Sequence, residues 1–245
     1  MSITVEICVD SVESAVAAQA GGADRVELCD NLMEGGTTPS FGSIEIARKL
    51  LDIKLHVIIR PRGGDFLYSD TEFEIMKRDI EAAKGLGVDG VVIGLLDRDG
   101  EIDVTRTAEL VELSRPMTVT FHRAFDVCAK PFAAIDQLAD IGVDRVLTSG
   151  QEATAFEGLD MLADCVRHAA GRVEIMACGN LNERNIAKVI AATGVSEVHF
   201  TAFGEVASEM RHRNESVFMG GTLRPPEYSR SLTDAETVKR TIAAV

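Results

Sequence analysis

Gly22-Ala23-Asp24-Arg25-Val26 returns three times in altered form, as Gly87-Val88-Asp89-Gly90-Val91, Gly142-Val143-Asp144-Arg145-Val146 and Gly194-Val195-Ser196-Glu197-Val198. Each copy closes an apolar-periodic stretch and opens a short β-branched run. Glycine just past a helix is the usual left-handed stop, and the run after it reads as a strand. Between successive copies there is room for a helix, another strand and another helix. Four such quarters make eight strands and eight helices. That count predicts an α/β fold, a single (β/α)8 TIM-like barrel over residues 1–245, with function at the carboxyl ends of the strands. A doubly wound sheet also alternates strand and helix, but it usually carries a glycine-rich fingerprint after its first strand. Here the first turn is Cys8-Val9-Asp10-Ser11, without glycine.

The reading places strands at 3–8, 25–29, 54–60, 90–94, 117–122, 145–149, 173–178 and 197–201. Ser69-Asp70-Thr71-Glu72 and Thr233-Asp234-Ala235-Glu236 fit the capping box at a helix start. Thr38-Pro39 predicts proline at the first helical position, where its missing donor costs nothing. Residues 202–231 form one long irregular stretch carrying Met210-Arg211-His212-Arg213-Asn214. A loop of that length after a barrel's last strand is often functional.

Hydrophobic residues make up 46% of the chain, enough for a large core. A net charge of −14 argues against a nucleic-acid or anionic-membrane surface. No apolar run approaches the roughly 18 residues needed to span a bilayer. Residues 1–6 lack a basic region and an apolar region, so no signal peptide is expected. Five cysteines without a CxxC pair suit a reducing cytoplasm rather than a disulfide scaffold.

Side chains alternate along a strand. One set is consistently apolar and belongs against the helices: Ile3, Val5 and Ile7; Val26 and Leu28; Leu55, Val57 and Ile59; Val119 and Phe121; Val198 and Phe200. The other set must face the lumen, and it is unusually polar. Counted from the repeat's glycine, Arg25, Arg145 and Glu197 fall near the strand starts and read as an ion-pair plug at the barrel bottom. Glu6, Arg60 and His122 are expected higher, toward the catalytic face.

Arg60-Pro61-Arg62-Gly63-Gly64-Asp65-Phe66 ends the third strand. The planar fork of Arg60 suits a carboxylate or phosphate ligand, and it equally suits neutralising Glu6 and Glu27 inside the barrel. His122 is an inward histidine at a strand end, a natural general acid or base. With Glu6, Glu27 and His199 it also makes a possible zinc, manganese or iron site, although no HxH or HExxH spacing accompanies it. Cys8 and Cys29 end neighbouring strands, so their thiols can meet at the mouth. Two soft thiolates suit Cu(I). The plainer reading is that each is a small buried hydrophobe, and so are Cys128, Cys165 and Cys178. Thr148-Ser149-Gly150-Gln151 and Cys178-Gly179-Asn180-Leu181 could offer backbone N–H groups to an anion, or could simply be tight turns.

Over nearly its whole length the chain resembles the CutC copper-homeostasis family. The resemblance runs through Glu6-Ile7-Cys8, Gly22 to Cys29, Glu34-Gly35-Gly36-Thr37-Thr38-Pro39-Ser40 and Arg60 to Phe66. It continues through Thr120 to Asp126, Arg145-Val146-Leu147-Thr148-Ser149-Gly150 and the Met210 to Asn214 segment. Cys178-Gly179-Asn180 departs from it, standing where a more glycine-rich turn is common. The resemblance implies a TIM-like barrel, a cytoplasmic location and copper handling, with thiol ligands for Cu(I) on Cys8 and Cys29. The expected ligand is therefore copper or a small molecule, with no nucleic acid or membrane, and a homo-oligomer is the expected assembly. The second functional reading is an enzyme of lyase, isomerase or hydrolase type acting on a small anionic or sugar-like metabolite. In it Glu6 or Glu27 is base, His122 acid and Arg60 the group that orients substrate, with His199 completing the set.

Overall fold

The repeated glycines are where the chain turns from helix to strand. In the computed structural model, which describes residues 3–221 and 225–245, Gly22, Gly87, Gly142 and Gly194 have φ of +94°, +74°, +80° and +75°. The aspartates two residues on have a second job. The Asp24 carboxylate accepts the backbone N–H of Val5 at 2.8 Å, Asp89 that of Leu55 at 3.0 Å and Asp144 that of Val119 at 2.7 Å. Each of these three copies therefore ends a helix and clips the start of its own strand to the strand before it.

Eight parallel strands close in sequence order: β1 Thr4–Val9, β2 Arg25–Leu28, β3 Lys54–Ile58, β4 Gly90–Ile93, β5 Thr118–Phe121, β6 Arg145–Thr148, β7 Glu174–Ala177 and β8 Glu197–Phe200. The helices between and after them are α1 Val12–Ala20, α2 Phe41–Leu50, α3 Asp70–Gly85, α4 Val104–Ser114, α5 Pro131–Asp140, α6 Leu159–Ala169, α7 Ile186–Thr193 and α8 Ala235–Ile242. Val5, Ile7, Val26, Leu28, Leu55, Val57, Val119, Phe121, Val198 and Phe200 are all buried in the layer between strands and helices. β2, β3, β5 and β7 stop slightly earlier than their sequence pattern, so Cys29, Arg60, His122 and Cys178 follow the strand ends and open the loops of the mouth, whereas β1 runs on to Val9.

Three local expectations change. Pro39 lies outside α2, which is capped by Ser40 accepting from Ser43 N–H at 3.2 Å. Thr38 instead gives its N–H to the Arg60 carbonyl at 2.9 Å, holding the segment extended. The capping box at Ser69 forms in both directions, but α8 is capped by Asp234, because Thr233 still belongs to a strand. That strand, β10 (Ser229–Thr233), pairs antiparallel with β9 (Phe203–Ala207). The stretch expected to be irregular is thus partly a two-stranded arm, joined to α1 by Thr233 N–H donating to Ser14 Oγ at 3.0 Å. Met210 to Asn214 are exposed near its outer part. No helix among the described residues is long and apolar enough to cross a membrane.

Candidate functional site

The lower lumen is an ion network. Arg25 donates through Nε to Glu6 and through Nη2 to Glu197 at 2.5 Å, and Arg145 Nε reaches Glu197 at 3.2 Å. Glu6 belongs to this layer rather than to the rim, because the parallel register sets it level with Arg25 on β2 and His199 on β8. Its carboxylate is held well below the usual range. Burial opposes that charge, but Arg25 and a 2.7 Å bond from His199 Nδ1 overcome the penalty.

Above it lies a cavity of about 330 Å3 at the carboxyl ends of the strands, lined among others by Cys8, Glu27, Arg60, Phe66, His122 and His199. Four of the five residues proposed for acid–base work and substrate orientation thus share one chamber, and Glu6 lies outside its lining, bonded to His199. The alternation of side chains made that phase legible. Gly94 makes the room: a Cβ there would collide with the His122 ring.

On the β1–β2 side, Cys8 Sγ and Cys29 Sγ stand 3.8 Å apart. With a Glu27 carboxyl oxygen they form a group whose ligand atoms all lie within 4.8 Å of one another. The Cys8 thiol is lowered to about 6, chiefly by the hydrogen bond from Cys29 and against the cost of burial, with His199 assisting. Cys29, giving up that hydrogen, is raised, as burial also dictates. Glu27 is raised, chiefly by burial and then by the Cys8 charge beside it. Burial resists a charge on His199, yet its bonds to Cys8 and Glu6 keep the imidazole protonated, with Nε2 3.7 Å from Glu27. Cys128, Cys165 and Cys178 are free and buried.

Arg60 does not neutralise Glu6 or Glu27. Its Nη1 donates to the carbonyls of Glu34 at 2.8 Å and Gly36 at 2.7 Å, and its Nη2 to the Gly64 carbonyl at 2.9 Å. It binds the rim loops together, and Arg62 lies outward against Asp65 and Glu72. His122 accepts the Ala124 N–H at Nδ1, and burial, with Arg60 nearby, lowers it to about 3, so the ring stays neutral.

Two participants were missed in the sequence. Glu34, on the short 3-10 turn Leu32–Glu34, reaches the cavity. Asp126 fills the turn after β6: its Oδ1 accepts the N–H groups of Ser149 at 3.0 Å and Gln151 at 3.2 Å, and the Thr148 hydroxyl at 2.5 Å. Of the two turns read as anion sites, the one after β6 has its Ser149 and Gln151 N–H groups occupied by the chain's own carboxylate. The signal was available in the acidic residue that ends the Phe121 to Asp126 run.

A closed parallel barrel with two thiols 3.8 Å apart, a carboxyl and an imidazole at its mouth defines a barrel protein with a soft-donor pocket. The chain belongs to the CutC family, whose model matches residues 3–204. It is 52% identical over 241 residues to a CutC family protein of Bacteroides thetaiotaomicron, covering 98% of this chain and 97% of that one. It is 48% identical to the human copper homeostasis protein cutC homolog, covering 98% and 88%. A solved structure of CutC from Streptococcus agalactiae superposes with a TM-score of 0.78 at 36% identity, over 81% of this chain and 98% of that one.

Proposed function

We propose that this protein serves copper homeostasis in the cytoplasm by holding Cu(I) at the barrel mouth between Cys8 and Cys29. The observation that carries the reading is the 3.8 Å separation of the two sulfurs. Metal–sulfur bonds of about 2.3 Å, the value for zinc, allow two thiolates on one ion at up to about 4.6 Å. Thiolate is the preferred donor for Cu(I). One thiol, Cys8, is already disposed to ionise, and the other releases its proton when the metal arrives. Glu27 places a carboxyl oxygen within 4.8 Å of both sulfurs. The copper homeostasis name of the human relative supports the same reading.

Cu(I) titration against a competing chelator tests it. The wild type should take up one equivalent. The double variant Cys8→Ser, Cys29→Ser should lose most of that affinity, because soft thiolates are the donors that select Cu(I) and hydroxyl oxygens are not. Equal affinity in both proteins rules out the thiol site.

A further inference from the structure

Arg60 is a buried cation without a counter-charge. It is 5% exposed, and among the described residues no carboxylate lies within ion-pair distance of it. Its three satisfied hydrogens go to neutral carbonyls, and its guanidinium carbon stands 5.3 Å from the centre of the Phe66 ring. Its Nε has no partner. Carbonyl dipoles orient a guanidinium but leave its charge unmatched, and an unmatched buried charge is costly.

His122 packs against the same Phe66 ring, centroid to centroid 5.0 Å. The Ala124 N–H points at Nδ1, 3.1 Å away, so that nitrogen carries the lone pair and Nε2 carries the hydrogen. Nε2–H also has no partner. Two unused donors and one unmatched positive charge therefore share the β3–β5 wall of the mouth cavity. Arg123, nearby, is already matched by Asp126 at 2.7 Å and by Ser149 Oγ at 2.8 Å. The backbone donors after β6 are filled by Asp126 as well, so the unmet demand on this wall is that of Arg60 Nε and His122 Nε2.

We propose that this wall is an oxyanion site, which takes the carboxylate or phosphate group of a small metabolite through Arg60 and the Nε2–H of His122. It lies on a different arc of the rim from the thiols and goes beyond the copper reading, since nothing in it requires a metal.

The test uses the full-length, metal-free protein with 15N-labelled histidine. Malonate and inorganic phosphate are titrated separately, with sodium chloride at matched ionic strength as the control. A saturable shift of the His122 Nε2 resonance with either oxyanion is expected, and the comparison of the two tells carboxylate from phosphate. His122→Asn keeps an acceptor for the Ala124 N–H and places no donor at the Nε2 position, because its shorter amide N–H group stops short of it. Calorimetry should show its affinity weakened about ten-fold or more, the scale of one hydrogen bond to a charged group. A thermal transition confirms that the variant is folded. Shifts no larger than those with chloride, or equal affinity in His122→Asn, overturn the proposal. Because copper is absent throughout, such a failure leaves the thiol reading standing, and loss of the thiol site leaves this one standing.

Discussion

At the residue scale the lumen holds two imidazoles kept neutral by their surroundings. His56 and His122 are both pushed down to about 3, His56 by burial despite the Glu6 charge, His122 by burial and Arg60. In the unfolded chain each titrates near about 6.5. Between those values the unfolded state binds protons that the folded state refuses. Their contribution to stability is therefore complete above about pH 6.5 and declines as pH falls, by at most about 1.4 kcal/mol per pH unit for each histidine. Thermal melts between pH 7 and 5 should show a shallower decline for His56→Gln, whose amide can still bond Thr118, than for the wild type. An identical slope would mean that His56 is protonated in the barrel. Glu6 acts lower: its depressed pKa supplies stability above the ordinary carboxylate range that is lost as pH falls through and beneath it. The inward phase of these residues was legible from strict alternation. The depth of Glu6 was not, because depth depends on the stagger between neighbouring strands, which no single strand's pattern contains. Nor were the partners of Arg60, which are loop carbonyls without any side-chain signature.

At the element scale the glycine junctions offer a matched pair of substitutions. Gly87 stands at φ +74°, and a Cβ added there would have nothing within 4 Å, so alanine meets backbone strain and no clash. Gly87→Ala should cost about 1–2 kcal/mol, the left-handed penalty of an L-residue. Gly85, two residues earlier, ends α3 with equally open space and without positive φ. Gly85→Ala should stabilise by about 0.5 kcal/mol through helix propensity. Chemical denaturation of both variants checks the opposite signs. The glycine of the repeat was readable in advance because its backbone requirement is local. The clip made by the following aspartate was not, although the residue stood in three of the four copies, because its acceptor role appears only when the neighbouring strand is in place. The β9–β10 arm escaped for the same kind of reason. Its strands lie far apart in sequence, and its residues are mostly exposed, so no alternation marks a buried face.

At the scale of the whole molecule, polar pairs replace part of the branched apolar filling usual in such barrels. Arg25 is the hub. Arg25→Met would leave Glu6 fully buried without its guanidinium and remove one of two partners from Glu197. A loss of about 3–5 kcal/mol is expected, as when one member of a buried pair is deleted. Denaturant midpoints should show it, and a change below about 1 kcal/mol would mean that water had entered to solvate Glu6. The eightfold count was legible because the repeat has a period. The division of the lumen into an ion-paired floor and a chamber above it emerged only with closure, since it joins residues nearly two hundred positions apart.

That closure also has a direction in time. A ribosome delivers β1 and β2 well before β8, yet Glu6 and Arg25 find Glu197 and His199 only on β8. A nascent chain that has not yet released its eighth strand therefore carries charges in its floor with half their partners still to come. Shortened chains ending at α7 should show little amide protection in β1, whereas supplying the missing 194–245 piece as a separate peptide should restore it. Arrival of β8, rather than growth of the apolar layer, would then be the event that locks the barrel.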